Sequence, residues 1–265
     1  MHSWELTDLE FRVLCERHAD SHIPPPLTYQ GRAESADDYE RQKISTWERL
    51  RATGDPRFAE MTRVLVRPEV SVRVLSWHDR GRDDPKLWVR ARAGRTGAHG
   101  YLVVQKPGET IGHSGGYTVM DCGPRGLAEA IVNLLPPGVD AGRAGTIPLV
   151  ADQVDVMQEY ELPRSLVTET ADDPEISRSR RFFETPADRT GAITVHQGHS
   201  MYGPRGLVEH ILVWRDLPGD GRYVIELPAV APLAVGMGRK WLTKKVDDVI
   251  EDMLARTESH WEMRG

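Results

Sequence analysis

The chain has only two cysteines, Cys15 and Cys122, in 265 residues. They form no Cys-x-x-Cys pair and each falls in an apolar stretch. That argues against a disulfide framework or a zinc site and for reduced, buried thiols. No segment approaches the roughly 20 apolar residues needed to span a bilayer, so no membrane insertion is expected. The N-terminus lacks a basic segment followed by an apolar run, which excludes the usual form of secretory signal and makes the cytoplasm the expected compartment. Positive charge is not in excess either. Lys and Arg number 34 against 40 Asp and Glu, a formal net charge of −6. Arg51, Arg57, Arg63 and Arg67 are spread along apparent helices as a solvated face, whereas a nucleic-acid partner would call for a denser basic stripe. What is present suits a soluble globular protein: 39% hydrophobic and 28% charged residues. The length allows a sizeable core, in one large domain or two closely packed halves.

Local patterns divide the chain. Thr7 with Glu10 makes a capping box, and Leu6 with Phe11 a hydrophobic staple, so a helix should start here. Pro24-Pro25-Pro26 should end that element. Ser35 predicts a second helix carrying Tyr39, Trp47 and Leu50, stopped by Gly54. Asp55-Pro56 fits the start of a third, with Phe58, Met61 and Leu65 facing inward. From Val70 the period changes to two. Val70, Val72 and Val74 alternate with Ser71 and Arg73, while Leu87, Val89, Ala91 and Ala93 alternate with Trp88, Arg90 and Arg92. Strands continue at 101–104 and 117–120, and the short turns between them predict antiparallel hairpins. Pro124 then opens a helix with Leu127, Ala130, Ile131, Leu134 and Leu135 buried, closed by Pro136-Pro137-Gly138.

The same order repeats beyond a loop at 139–145. Helical segments are expected between 150 and 183 and strands from 193 to 227, with a Pro-Gly-Asp-Gly turn at 218–221. A last helix buries Val246, Val249, Ile250, Met253 and Leu254. The expected fold is therefore α+β, with a mainly antiparallel sheet. Its two similar halves, 1–138 and 139–265, pack as one compact domain.

Candidate chemistry is sparse. Gly112-His113-Ser114-Gly115-Gly116 matches the G-x-S-x-G nucleophile elbow, but that turn needs a strand before it and a helix after it. Lys106-Pro107-Gly108 interrupts the preceding strand, and Tyr117-Thr118-Val119-Met120 reads as strand. Among 10 histidines, His196, His199 and His210 lie close in sequence. His196 and His199 would point to opposite faces of a strand, and no cysteine or carboxylate joins them at zinc-ligand spacing. Asp247, Asp248, Glu251 and Asp252 fall on the polar face of the last helix as solvated charge. The glycine-rich segments lack the lysine and helix entry of a phosphate loop. No catalytic residue, cofactor or metal is expected.

A set of well-distributed residues carries a different signal. It comprises Trp4-Glu5-Leu6-Thr7 with Glu10 and Phe11, Trp47 with Leu50, Leu134-Leu135-Pro136, and Gly191. Trp214, Asp216, Gly221-Arg222-Tyr223, Ala231-Pro232-Leu233 and the terminal helix complete it. In this order the chain resembles the EspG family, cytosolic chaperones of actinobacterial type VII secretion. Gly221-Arg222-Tyr223 after an aspartate is the most specific part. The resemblance implies an antiparallel sheet flanked by two helical bundles in a pseudo-twofold arrangement. It implies a function too: covering the apolar tip of PE–PPE heterodimers, which keeps them soluble for an ESX system.

The binding region so implied is the loop 76–86, the segment 175–183 and the strands 193–202. Trp77, Phe182, Phe183, Met201 and Tyr202 are the expected partner-binding residues, since aromatics and Met dominate interfaces. Ordinary core packing competes for each of them. A non-enzymatic α+β adaptor, or a protein that forms a homodimer through its sheet, is the alternative reading, and a serine hydrolase using Ser114 is a third.

Overall fold

The first helix forms where its capping box predicts. In the computed structural model, which describes residues 2–150, 174–198 and 208–262, Thr7 Oγ1 accepts from the Glu10 amide and the Glu10 carboxylate accepts from the Thr7 amide. Helix α1 (Asp8–Ala19) stops at Asp20, a left-handed cap at φ 46. It thus ends before the three prolines that the sequence offers as its terminator. Helix α2 (Ala36–Thr53) runs from a Ser35 cap to Gly54 at φ 65. Helix α3 (Arg57–Val66) starts one residue later than Asp55-Pro56 suggests, with Asp55 accepting from the Arg57 amide. The Arg57 guanidinium holds the Asp55 carboxyl well below the usual carboxylate range.

Ten strands form one antiparallel sheet. They are β1 (Ser3–Leu6), β2 (Val70–Trp77), β3 (Val89–Thr96), β4 (His99–Pro107), β5 (Ser114–Asp121), β6 (Thr146–Pro148), β7 (Arg189–Gln197), β8 (Glu209–Leu217), β9 (Gly221–Leu227) and β10 (Leu233–Gly236). Their order across the sheet is β1-β5-β4-β3-β2-β7-β8-β9-β10-β6. Each half is a four-strand meander whose last strand pairs with the short strand that opened the half. The halves join where β2 pairs with β7. Helix α4 (Leu127–Val132) follows the first meander, and α6 (Arg239–Glu262) the second. That is the pseudo-twofold arrangement expected.

Alternation sorts the side chains onto two faces. On the first face, α4 and α6 cover Val70, Val72, Ala93, Leu102, Ile193 and Trp214 at the centre of the sheet. The second face carries two separate clusters. One packs α1 to α3 against Tyr101, Val103, Tyr117 and Val119. The other packs α5 (Pro174–Glu184) through Phe182 against Val213, Tyr223 and Ile225.

Some expectations need correction. Leu87 lies in a short 3-10 turn (Pro85–Leu87), and its strand begins at Val89. The edge strands β1 and β6, and β10 next to β6, have only 3 or 4 residues, too few for a period of two to show. The helical expectation for 151–173 lies outside the described residues.

The family-like residues around the β8–β9 hairpin prove to be a clamp. Arg222, 1% exposed, donates from Nε and Nη2 to both oxygens of buried Asp216 at 2.7 and 2.9 Å. Nη2 also reaches the Pro136 carbonyl at 3.3 Å. Its backbone amide donates to the Asp140 carbonyl, and its carbonyl accepts from the Gly142 amide, both at 2.8 Å. Gly221 sits at φ 145, where a Cβ would come within 2.8 Å of the Asp140 oxygen. The Tyr223 hydroxyl donates to Asp220 and accepts from the Ala144 amide. These contacts hold the 136–145 connection, which enters from the first half, against the second meander.

Candidate functional site

The end of the second face nearest the β2–β3 loop gathers three of the aromatic residues singled out from the sequence, Trp77, Phe182 and Phe183. Trp77, Thr190, Arg215 and Tyr223 form one cross-strand row over β2, β7, β8 and β9. Arg215 is its hub. Its Nη2 donates to Asp79 at 3.1 Å and to the Thr185 carbonyl at 2.7 Å, and its Nη1 to the Phe182 carbonyl. The guanidinium lies 5.2 Å from the Phe182 ring centre and 6.0 Å from that of Phe183. Burial lowers the Arg215 pKa, and the Asp79 charge opposes that shift. Asp79 also accepts from the Ala187 amide at 2.8 Å. One buried arginine and one carboxylate therefore tie the β2–β3 loop to the C-terminal end of α5.

Trp77 thus shares a neighbourhood with Phe182 and Phe183, although more than 100 residues separate it from them in the chain. They do not share exposure. Trp77 is 7% exposed, faces Trp88 at 5.5 Å and carries Arg82 over its ring. Phe182 is 3% exposed and meets Tyr223 edge to face. Phe183 is half-buried and 5.2 Å from Phe182. Trp77 and Phe182 thus pack as core in the free chain, and Phe183 borders the surface. Met201 and Tyr202 lie outside the described residues.

The structure adds residues that sequence reasoning passed over. Trp241 near the start of α6 is 69% exposed, and Val230, ahead of β10, and Leu233, its first residue, are also exposed. Strand and helix periods mark which face a residue occupies, not whether another element covers that face, so nothing in the sequence distinguished them. Arg92, on the polar positions of β3, is only 6% exposed.

Ser114 is the first residue of β5, and strand follows it where a nucleophile elbow needs helix. Its hydroxyl is buried, accepts from the Gly116 amide at 3.0 Å and donates to the Gly116 carbonyl at 3.1 Å. The adjacent His113 bonds Thr110. His196 pairs with Glu209 at 3.1 Å and His210 with Glu226 at 3.0 Å. The β7–β8 register puts these two histidines on opposite faces, and His199 lies outside the described residues. Cys15 is buried and free, its thiol pushed up to about 12 by burial. Among the described residues, no three His, Cys, Asp or Glu side chains gather as a metal site, and no helix is long and apolar enough to cross a membrane.

The sheet is pseudo-doubled and antiparallel with helices on both faces, which places the protein in the α+β class, and aromatic side chains collect beside one of its loops. The EspG family model matches residues 7–243, and the chain belongs to that family. Among solved structures it is similar to the type VII secretion system chaperone EspG5 of Mycobacterium tuberculosis, solved in complex with a PE25–PPE41 dimer. That likeness has a TM-score of 0.60 at 14% identity and covers 95% of this chain and 96% of EspG5. It shows the same fold. No protein of curated function matches the chain by sequence.

Proposed function

We propose that this protein is a cytosolic, non-enzymatic chaperone that binds the apolar tip of a PE–PPE heterodimer and keeps it soluble for type VII secretion. The observation that carries this reading is membership of the EspG family over 7–243, joined to a fold shared along its length with a chaperone solved on such a client. The physical logic supports it. A helical tip destined for a later contact exposes apolar surface and aggregates unless it is covered. The cover needs apolar anchors with a polar rim and an affinity that still allows release, on the order of 10 nM to micromolar.

The proposed contact region is the β2–β3 loop, α5 and the strand leading from Ile193, with Trp77, Phe182, Phe183, Met201 and Tyr202 as anchors. Phe183 is the test position, because it borders the surface while Phe182 fills the core. Co-expression with the PE–PPE pairs of the same genome should yield a one-to-one-to-one complex on size exclusion, with an interface of about 1,600 Å². Phe183→Asp should weaken it at least about tenfold, the effect of losing one anchor, with an unchanged circular dichroism spectrum. If no pair co-elutes at tens of micromolar, the function is wrong. A folded Phe183→Asp that binds as tightly as the parent moves the surface elsewhere.

As a non-enzyme, the protein should also leave Ser114 unlabelled by a fluorophosphonate probe in the native state. Stoichiometric labelling at Ser114, abolished by prior denaturation, would restore the hydrolase reading.

A further inference from the structure

A strip of the second face, between its two apolar clusters, is built from basic groups on neighbouring strands. Arg73 at the middle of β2 stands directly opposite Arg92 of β3 on one side and Thr194 of β7 on the other. One pair further along, Ser71 stands opposite His196. Like charges directly opposite each other across a ladder destabilise a sheet. Burial increases that cost, because desolvated charge is screened less.

The strip compensates only part of its charge. Arg92, 6% exposed, donates from Nε to the Leu65 carbonyl at 2.7 Å and from Nη1 to the Pro25 carbonyl at 3.2 Å. His196 has Glu209 on Nδ1 at 3.1 Å. Arg73 is half-buried, and neither its Nε nor the buried Nε2 of His196 has a hydrogen-bond partner among the described residues. No carboxylate among them pairs with Arg73, although it lies in a chain of net charge −6. The local potential also shows in the neighbours. Burial, with Arg73 adding to it, pushes Arg92 down to about 10, and burial with both arginines pushes His196 down to about 4. With Nδ1 facing Glu209 in a neutral ring, His196 Nε2 is an acceptor, so the donor left without an acceptor among the described residues is Arg73 Nε, and such a donor is costly to a fold. A site that keeps an arginine without a carboxylate has the chemistry to accept an anion.

We propose that Arg73, backed by Arg92, is an anchor for a carboxylate side chain that the client inserts beside its apolar tip. This deepens the chaperone reading and rests on it. A carboxylate suits the site because a guanidinium can present two parallel N–H donors to its two oxygens. The whole-chain charge disfavours an extended polyanion. Such a contact would give orientation as well as affinity, since apolar anchors alone are tolerant of rotation.

The test uses the full chain and a PE–PPE pair that co-elutes with it, with dissociation constants measured by calorimetry in 50 and 200 mM salt. Arg73→Met removes the charge and keeps the length. It should weaken binding about tenfold or more, as expected for losing a charge-assisted hydrogen bond, and flatten the salt dependence. Arg73→Glu should weaken it further, while Arg73→Lys should remain within a few-fold of the parent. The melting temperature of Arg73→Met in the free protein should be unchanged or raised, because a like-charge pair is relieved. A merely structural arginine would lower it. A folded Arg73→Met that binds within twofold of the parent, with the same salt slope, overturns the anchor and leaves the chaperone reading standing. A drop in melting temperature with unchanged binding does the same. Failure of the parent to bind any pair overturns both.

Discussion

Replacing Arg222 with alanine is expected to destabilise the protein by about 3–5 kcal/mol, the usual cost of removing one partner from a buried ion pair. Domains of ordinary stability have only about 5–15 kcal/mol in total, so much of the protein would unfold on modest heating. The cost arises from what stays behind. Asp216 would stay at 3% exposure with its guanidinium partner gone, and the Pro136 carbonyl would lose a donor. Arg222→Lys should recover little, because an ammonium cannot bridge both Asp216 oxygens as Nε and Nη2 do. Replacing the pair together, Arg222→Met with Asp216→Leu, should be milder than Arg222→Ala, since well-packed apolar groups often substitute for a buried pair. Urea unfolding checks all three. An Arg222→Ala protein within about 1 kcal/mol of the parent, the scale of an exposed pair, would show that the clamp contributes nothing.

The second large effect is expected at Gly191. Its cross-strand partners are Ser76 on β2 and Trp214 on β8. A Cβ at 191 would lie 2.4–2.5 Å from the Trp214 ring and from the Ser76 side chain. Trp214 is 1% exposed under α4 and α6, so it cannot swing away. The glycine leaves room for the indole at the seam where the two half-sheets join. Gly191→Val should cost about 3 kcal/mol, the upper range for overpacking a core. Trp214→Leu alone should also destabilise, by leaving a cavity. The two together should cost clearly less than their sum, because the ring that clashes with the valine is gone. A double-mutant cycle by urea unfolding measures that difference. Simple additivity would mean that the close approach at the seam is not what constrains residue 191.

The pairing of Gly191 with Trp214, and of Asp216 with Arg222, explains why these residues stand out in the sequence. They were legible as a family-like pattern, but their roles were not. An Asp-Leu-Pro-Gly-Asp-Gly-Arg-Tyr run reads as a hairpin turn, and only the fold brings residues 136–145 against it. The candidate site behaves the same way. Trp77 and Phe182 were named from residue type, and residue type does not say whether an aromatic ring is an interface anchor or core. The helix and loop packed around Arg215 bury both rings in the free chain.

Sequence alone determined the local elements of this protein. Capping chemistry at Thr7 and Ser35, the stop at Gly54, the period of two from Val70 and the apolar stripe of the last helix involve residues within a few positions of each other. Their physics is complete in a short segment. The repeated element order made two halves visible as well. The tertiary structure decided where those halves meet, which brief strands close the edges of the sheet, and which polar positions are buried. Arg73 and Arg92 show the reason most directly. In sequence they are the polar members of two alternating strands, indistinguishable from solvated residues. Only the antiparallel register sets one opposite the other, and residues 25 and 65 supply the carbonyls that quiet Arg92, while Arg73 Nε is left without an acceptor among the described residues.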